Sequence, residues 1–228
     1  MDKYKVCIEA VENNIPLQYV IGNVNFFGYE FDVNKDVLIP RFETEELVDR
    51  IIKFINNKFS SAEKVIDLGC GSGVIGLTLE KKVSTNSVDL IDISPKALSV
   101  TYKNCVKHAS TANLINSDMF EKVEKKYDVI ISNPPYIKTN EEIEEIVKSN
   151  EPHLALYAGE DGLDCYKKIL ANASLHMKER CLIAFEIGYQ QAQDITELAH
   201  KYLENITVEV KKDLSGKDRM LFIFKNLE

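Results

Sequence analysis

The chain has 228 residues, 45% of them hydrophobic, with a net charge of −8 and an isoelectric point near 5.2. That is enough for one sizeable core, with a single large α/β domain as the default, and the acidic balance argues against a partner gripped through many phosphates, which needs clustered Lys and Arg. No apolar run approaches a membrane span, the first residues lack a signal-peptide core, and five scattered cysteines (Cys7, Cys70, Cys105, Cys165, Cys181) without a CxxC read as reduced thiols of a cytoplasmic protein with no metal site.

Residues 1–14 read as a short, weakly amphipathic helix. Residues 24–33 carry aromatics around Gly28 and read as a hairpin-like pair of short strands. In "IPRFETE", Pro40 ends a strand and Glu43 to Glu46 open a helix, whose first turn suits acidic residues. That helix, 43–59, stacks Leu47, Val48, Ile51, Ile52, Ile55 and Phe59 on one face. Arg41 with Glu43 and Glu45 is either a helix-capping ion pair or the edge of a lid near a ligand, with Arg41 bracing the acids.

From residue 64 strands and helices alternate. Strands are expected at 64–68, 87–91, 113–116, 127–132, 180–187, 206–211 and 219–224, with helical patterns at 74–82, 95–108, 141–149, 162–176 and 189–203. This predicts an α/β fold with a seven-stranded, mainly parallel sheet covered on both faces. Only "DLSGKD" separates the last two strands, so they form a hairpin, with one antiparallel strand at the end of the sheet.

In "VIDLGCGSGVIG" a strand runs into Gly69, Gly71 and Gly73, and a helix follows. Glycines let the backbone adopt positive φ and approach a ligand, and ligands of such sheets bind at the carboxyl ends of the strands. Asp92 in "LIDIS" stands about 20 residues on, where an acid can accept both hydroxyls of a ribose. Asp67 just before the turn would repel a pyrophosphate, so the pattern favours a nucleoside carrying an amino acid. The bland alternatives are a ligand-free tight turn and, for Asp92, a helix cap before "SPKAL". Asp118 in "NSDMF" either reaches an adenine amino group or is a solvated loop acid.

The strand "YDVIIS" runs into "NPPYI", and two prolines stop it. A planar amide or base nitrogen is a poor nucleophile because its lone pair is delocalised. The side-chain oxygen of Asn133 and the carbonyl of Pro134 can accept both of its hydrogens and hold that lone pair toward a methyl donor. Pro135 leaves no competing N–H beside that carbonyl. Tyr136 can stack on the planar group or face a sulfonium. Catalysis would then be positioning and electrostatics, with no covalent intermediate. A rigid turn is the bland alternative. Glu151 and Pro152 in "EPHLAL" would shape the substrate mouth. Glu186, ending a core strand, either faces the same crevice or is a satisfied buried carboxylate.

"DLGCGSG" followed by "NPPY" resembles the class I S-adenosylmethionine-dependent methyltransferases that act on exocyclic or amide nitrogens. "PLQYVIGNVNFFG" (16–28), "VLIPRFETEELV" (37–48), "NEPHLALYAGEDGLDCY" (150–166), "FEIGYQQ" (185–191) and "DLSGKDRMLFI" (213–223) resemble one branch, the HemK-like glutamine methyltransferases of peptide-chain release factors. The resemblance implies a Rossmann-like fold, S-adenosylmethionine as cofactor, and methyl transfer to the glutamine amide of a Gly-Gly-Gln loop. The expected division is a remnant N-terminal helix (1–15), a hairpin and linker (16–42) and the methyltransferase domain (43–228), with a monomer expected. The family usually carries a helical domain before "PLQY" that helps grip the release factor, and usually has PRPETE where this chain has "PRFETE", which implies altered loop stiffness. The competing readings are an adenine or guanine amino methyltransferase acting on DNA or RNA, since a flipped base presents a similar nitrogen, and a catalytically silent nucleoside-binding subunit, against which Asn133 and Tyr136 argue.

Overall fold

The computed structural model describes residues 3–59 and 64–227. Helix α1 (Lys3–Glu12) and the short α2 (Leu17–Ile21) lead into a hairpin of β1 (Asn23–Phe26) and β2 (Tyr29–Asp32), then α3 (Phe42–Lys58). Residues 1 and 2 of the expected first helix lie outside the described residues. Phe27 and Gly28 both have positive φ (53° and 80°), as a two-residue hairpin turn of the I′ type requires.

The main sheet begins with β3 (Lys64–Leu68), α4 (Val74–Lys82), β4 (Ser87–Asp92), α5 (Pro95–Lys107), β5 (Asn113–Asn116) and β6 (Tyr127–Ser132). It continues through α6 (Glu145–Asn150), a 3-10 turn (His153–Ala155), α7 (Asp164–His176), β7 (Met177–Glu186), α8 (Ala192–Tyr202), β8 (Ile206–Lys212) and β9 (Asp218–Lys225). The strand order is β5-β4-β3-β6-β7-β9-β8. β3 pairs in parallel with both β4 and β6, so the chain reverses direction across the sheet at β3 and opens a crevice at its carboxyl end.

β9 is antiparallel to both β7 and β8. The expected antiparallel strand exists, but it does not lie at the end of the sheet. β9 inserts beside β7, and β8 takes the edge. The burial explains this: Met220 to Phe224 are all buried, whereas β8 is half-exposed and carries Glu209, Lys211 and Lys212. Charges suit an edge that must not pair with another chain.

Side chains alternate between the two faces of the sheet. On one face Val65, Val129, Leu182 and Phe222 pack with Leu47 and Ile51 of α3 and Leu77 of α4. On the other, Ile66, Ile130, Ile183 and Leu221 meet Tyr166 and Ile169 of α7 and Ile195 of α8. The buried stripe of α3 is Thr44, Leu47, Val48, Ile51 and Ile55, with Ile52 and Phe59 partly buried at its flank.

Three local expectations need correcting. Residues 37–40 form no strand; side chains from elsewhere hold the segment. The helix expected over 141–149 covers only Glu145–Asn150, and β7 starts at Met177 rather than 180. Among the described residues no helix is long and apolar enough to cross a membrane.

Candidate active site

The crevice at the end of β3 is a cleft of about 490 Å³, within the range of small-molecule sites. Its floor is the glycine turn. Gly69, Gly71 and Gly73 have φ of 73°, 56° and 81°, the left-handed region that glycine enters without steric cost. A Cβ on Gly69 or Gly71 would meet nothing within 4 Å, so the turn presents bare backbone to open space.

Asp92 ends β4 on the cleft wall. Its Oδ2 accepts from Gly71 N (2.9 Å) and its Oδ1 from Ser94 N (2.8 Å). These bonds use two of about four acceptor positions of a carboxylate, leaving room for ligand hydroxyls. Burial pushes the Asp92 acid above its ordinary range, and the two N–H bonds oppose that shift. The cap of α5 is Ser94, whose Oγ accepts from Ala97 N at 3.2 Å, so Asp92 is not the cap. Asp118 also lines the cleft and is ion-paired with Lys168 of α7, which lines it too.

Asp67 does not reach the cleft. It is fully buried beneath α4, where its Oδ2 accepts from Gly76 N (3.0 Å) and its Oδ1 has no hydrogen-bond partner among the described residues. Burial raises its acid to about 7, with the Gly76 bond opposing and the charge of Asp92 assisting. The expectation that Asp67 contacts the cofactor is therefore corrected: the pleat of β3 points this side chain into the α4 face, and it shapes the turn from below. Gly76 makes that packing possible, since a Cβ there would lie 2.3 Å from Leu90 Cδ2 and 3.3 Å from Asp67 Cβ.

Beyond Ser132, Asn133 and Pro135 line the cleft, while Pro134 is buried. Tyr136 is not on the cleft wall. Its ring packs against the α7–α8 face, and its hydroxyl is pushed up to about 12 by burial and by Glu186, with Arg219 opposing. Its carbonyl accepts from Gln191 Nε2 (3.1 Å), which also donates to Gly162 O (3.1 Å).

Arg41 does not brace Glu43 or Glu45. Those two acids sit in the first turn of α3, and the Arg41 guanidinium pairs with Glu151 at 2.5 Å. Glu151 also accepts from Ile39 N at 3.0 Å and is only 4% exposed. The expectation from "EPHLAL" that Glu151 shapes the substrate mouth is therefore corrected: it does not line the cleft. Pro152, Leu154 and Ala155 do line the cleft, while Glu151 anchors residues 39–41 opposite the glycine turn.

Glu186 proves to be a hydrogen-bonded buried carboxylate: its Oε2 accepts from Thr44 Oγ1 at 2.6 Å. Burial lifts its acid to about 7, against the Thr44 bond and Arg219. Thr44 in turn accepts from Asn133 Nδ2 at 3.3 Å. Sequence reasoning missed Thr44, Gln191, Gly162 and Lys168. Only Thr44 left a signal, since it shares the helical stripe of Leu47, Val48 and Ile51 while being polar.

Comparison with known proteins agrees with this geometry. The methyltransferase small domain family matches residues 40–156, from the anchored segment through the asparagine loop to the end of the 3-10 turn. The release factor glutamine methyltransferase of Bacillus subtilis is 41% identical, over 98% of this chain and 81% of its own length. That of Flavobacterium psychrophilum is also 41% identical, over 96% and 79%. Among solved structures, the release factor-specific protein-(glutamine-N5) methyltransferase of Alicyclobacillus acidocaldarius superposes with a TM-score of 0.53 at 26% identity, covering 86% of this chain and 99% of that one. A methyltransferase from Pyrococcus furiosus gives a TM-score of 0.65 at 19% identity, over 95% and 98%, a likeness of fold alone. At 41% identity to these relatives over nearly its whole length, the chain belongs to the release factor glutamine methyltransferase family.

Proposed function

We infer that this protein transfers a methyl group from S-adenosylmethionine to the side-chain amide nitrogen of the glutamine in the Gly-Gly-Gln loop of peptide-chain release factors. One observation carries the reading beyond family membership. Asn133 stands at the lip of the cleft with its Nδ2 tied back to Thr44, and among the described residues no hydrogen bond engages its Oδ1. That oxygen is free to accept from an incoming amide N–H.

The residues present suit the cofactor. The open glycine turn admits a ligand against its backbone, Asp92 keeps acceptor capacity for ribose hydroxyls, and Asp118 stands on the same wall for the base. When bound, S-adenosylmethionine supplies an electrophilic methyl on a sulfonium. The protein must present to it an amide nitrogen, which is a poor nucleophile. Asn133 Oδ1 and the Pro134 carbonyl hold the two amide hydrogens, which fixes the plane of the amide and directs the nitrogen's face into the cleft. The nitrogen would shed one proton to solvent as it took the methyl, and the neutral thioether S-adenosylhomocysteine would be the leaving group. Positioning of this kind is worth several kcal/mol of barrier. Tyr136 supports the loop from behind rather than stacking on the substrate.

The acidic net charge and the five family segments favour protein over nucleic acid as substrate. The test is methyl transfer from labelled cofactor to a purified release factor, with the same factor carrying Gln→Ala in the loop and a mixed RNA and DNA pool as parallel substrates. Label is expected on the intact factor alone. Label on nucleic acid with none on the factor would establish the base-amine alternative.

A further inference from the structure

Asn133 can present either its oxygen or its amino group to the substrate, and only the oxygen accepts an amide hydrogen. A contact that specifies which way the side-chain amide faces therefore belongs to the reaction. Thr44 is only 2% exposed and lies at the third position of α3; its Oγ1 donates to Glu186 Oε2 at 2.6 Å. Glu186 is also 2% exposed, and the carboxyl end of β7 presents it to the same helix. The Thr44 hydroxyl has one hydrogen, and Glu186 in its ionised form takes it. Toward Asn133 the hydroxyl can then only accept, so it selects Nδ2, at 3.3 Å. Oδ1 is left facing the cleft.

We propose that Thr44 and Glu186 are positioning residues for methyl transfer, a two-bond relay that sets the orientation of the Asn133 amide from three separate parts of the chain. The inference rests on the reading of the cleft as a methyl-transfer site. It adds Glu186, which lies behind the cleft, and Thr44, which lines it beside Asn133, and assigns both an action through Asn133. It also gives a role to the buried carboxylate at the end of β7. A neutral apolar side chain in its place would leave the Thr44 hydrogen free to donate to Asn133 Oδ1 and turn the amide over.

The test is a double-mutant cycle with an independent spectroscopic arm. Thr44→Val keeps the shape and removes the hydroxyl, and Thr44→Ser restores it. Thr44→Val should lower kcat on the order of 10–100-fold, the scale of a misplaced reacting group. KM for the release factor and the affinity for S-adenosylhomocysteine should stay within about twofold, and Thr44→Ser should recover most of the rate. In an Asn133→Ala background, Thr44→Val should change kcat by less than about twofold, because the residue it acts through is gone. Normal turnover by Thr44→Val, an equal loss in both backgrounds, or failure of Thr44→Ser to recover would each overturn the proposal. The side-chain amide resonances of Asn133, identified by their absence in Asn133→Ala, should be slow to exchange in the wild type and in Thr44→Ser and fast in Thr44→Val. This arm needs no turnover. Wild-type protein that shows the protected resonance but does not label a release factor would overturn the substrate reading and leave the relay standing. An unprotected resonance in the wild type would overturn the relay.

Discussion

Arg41 and Glu151 form an ion pair at 2.5 Å across 110 residues of sequence, and the same carboxylate accepts the backbone N–H of Ile39 at 3.0 Å. The pair ties the segment before α3 to the residues after α6. Val37, Leu38 and Pro40 of that segment line the cleft, so its position contributes to the cofactor site. Replacing Glu151 by Ala strands a buried N–H and a guanidinium, and leaving a buried donor unpaired costs ~1–3 kcal/mol. Calorimetry with S-adenosylhomocysteine should show affinity reduced by about tenfold. Unchanged affinity would mean that Tyr19, which donates to Val37 O at 2.7 Å, suffices to hold the segment.

Asp92 joins the glycine turn to the start of α5 through its bonds to Gly71 N and Ser94 N. Asp92→Ala should weaken S-adenosylhomocysteine binding by ~1–3 kcal/mol, the scale of a lost charged hydrogen bond. Binding of NAD by the wild type, with none of the homocysteine product, would remove the basis for this prediction.

Gly162 has φ 74°, and a Cβ there would sit 2.4 Å from the Tyr136 carbonyl oxygen and 2.8 Å from Gln191 Nε2. Neither obstacle moves freely: one is backbone, and the other holds that backbone. Gly162→Ala should therefore displace the Asn133–Tyr136 loop and lower kcat on the order of 100-fold. Cofactor affinity should change little, because the glycine turn and Asp92 lie on other strands. Steady-state kinetics with parallel calorimetry separates the two, and a variant with full turnover would show that the loop tolerates the shift.

Asp67 and Glu186 both hold their protons to about pH 7 in the folded protein, well above the ordinary carboxylate range. Between the ordinary value and about 7 the unfolded chain has released those protons and the folded chain has not. The folded state thus binds more protons, and stability falls as pH rises through this window and levels off above it. For Asp67 alone the loss between about pH 5 and pH 8 is on the order of 3 kcal/mol. Urea unfolding at both pH values should show Asp67→Asn with a smaller decrease than the wild type. Equal decreases would assign the wild-type dependence to other groups.

Much of this protein follows from local pattern. The alternation of strands and helices, the glycine turn after "VIDL" and the proline stop after "YDVIIS" depend on residues close together in the chain, and each of these elements formed within a few residues of its expected bounds. The order of the motifs then placed the turn, Asp92 and Asn133 at the ends of neighbouring parallel strands, because a parallel α/β sheet aligns all such ends on one side. The partners of side chains were decided only by the tertiary structure. "PRFETE" shows an arginine beside acids, yet Arg41 pairs with Glu151. The motif "NPPY" suggests a tyrosine over the substrate, yet Tyr136 turns to the opposite core. The final hairpin is legible, but not the insertion of β9 between β7 and β8. Periodicity reports which face of an element is buried. Which residue waits on the other side depends on how distant elements are ordered in the sheet, and that choice minimises exposed apolar strand and unpaired buried charge over the whole molecule at once.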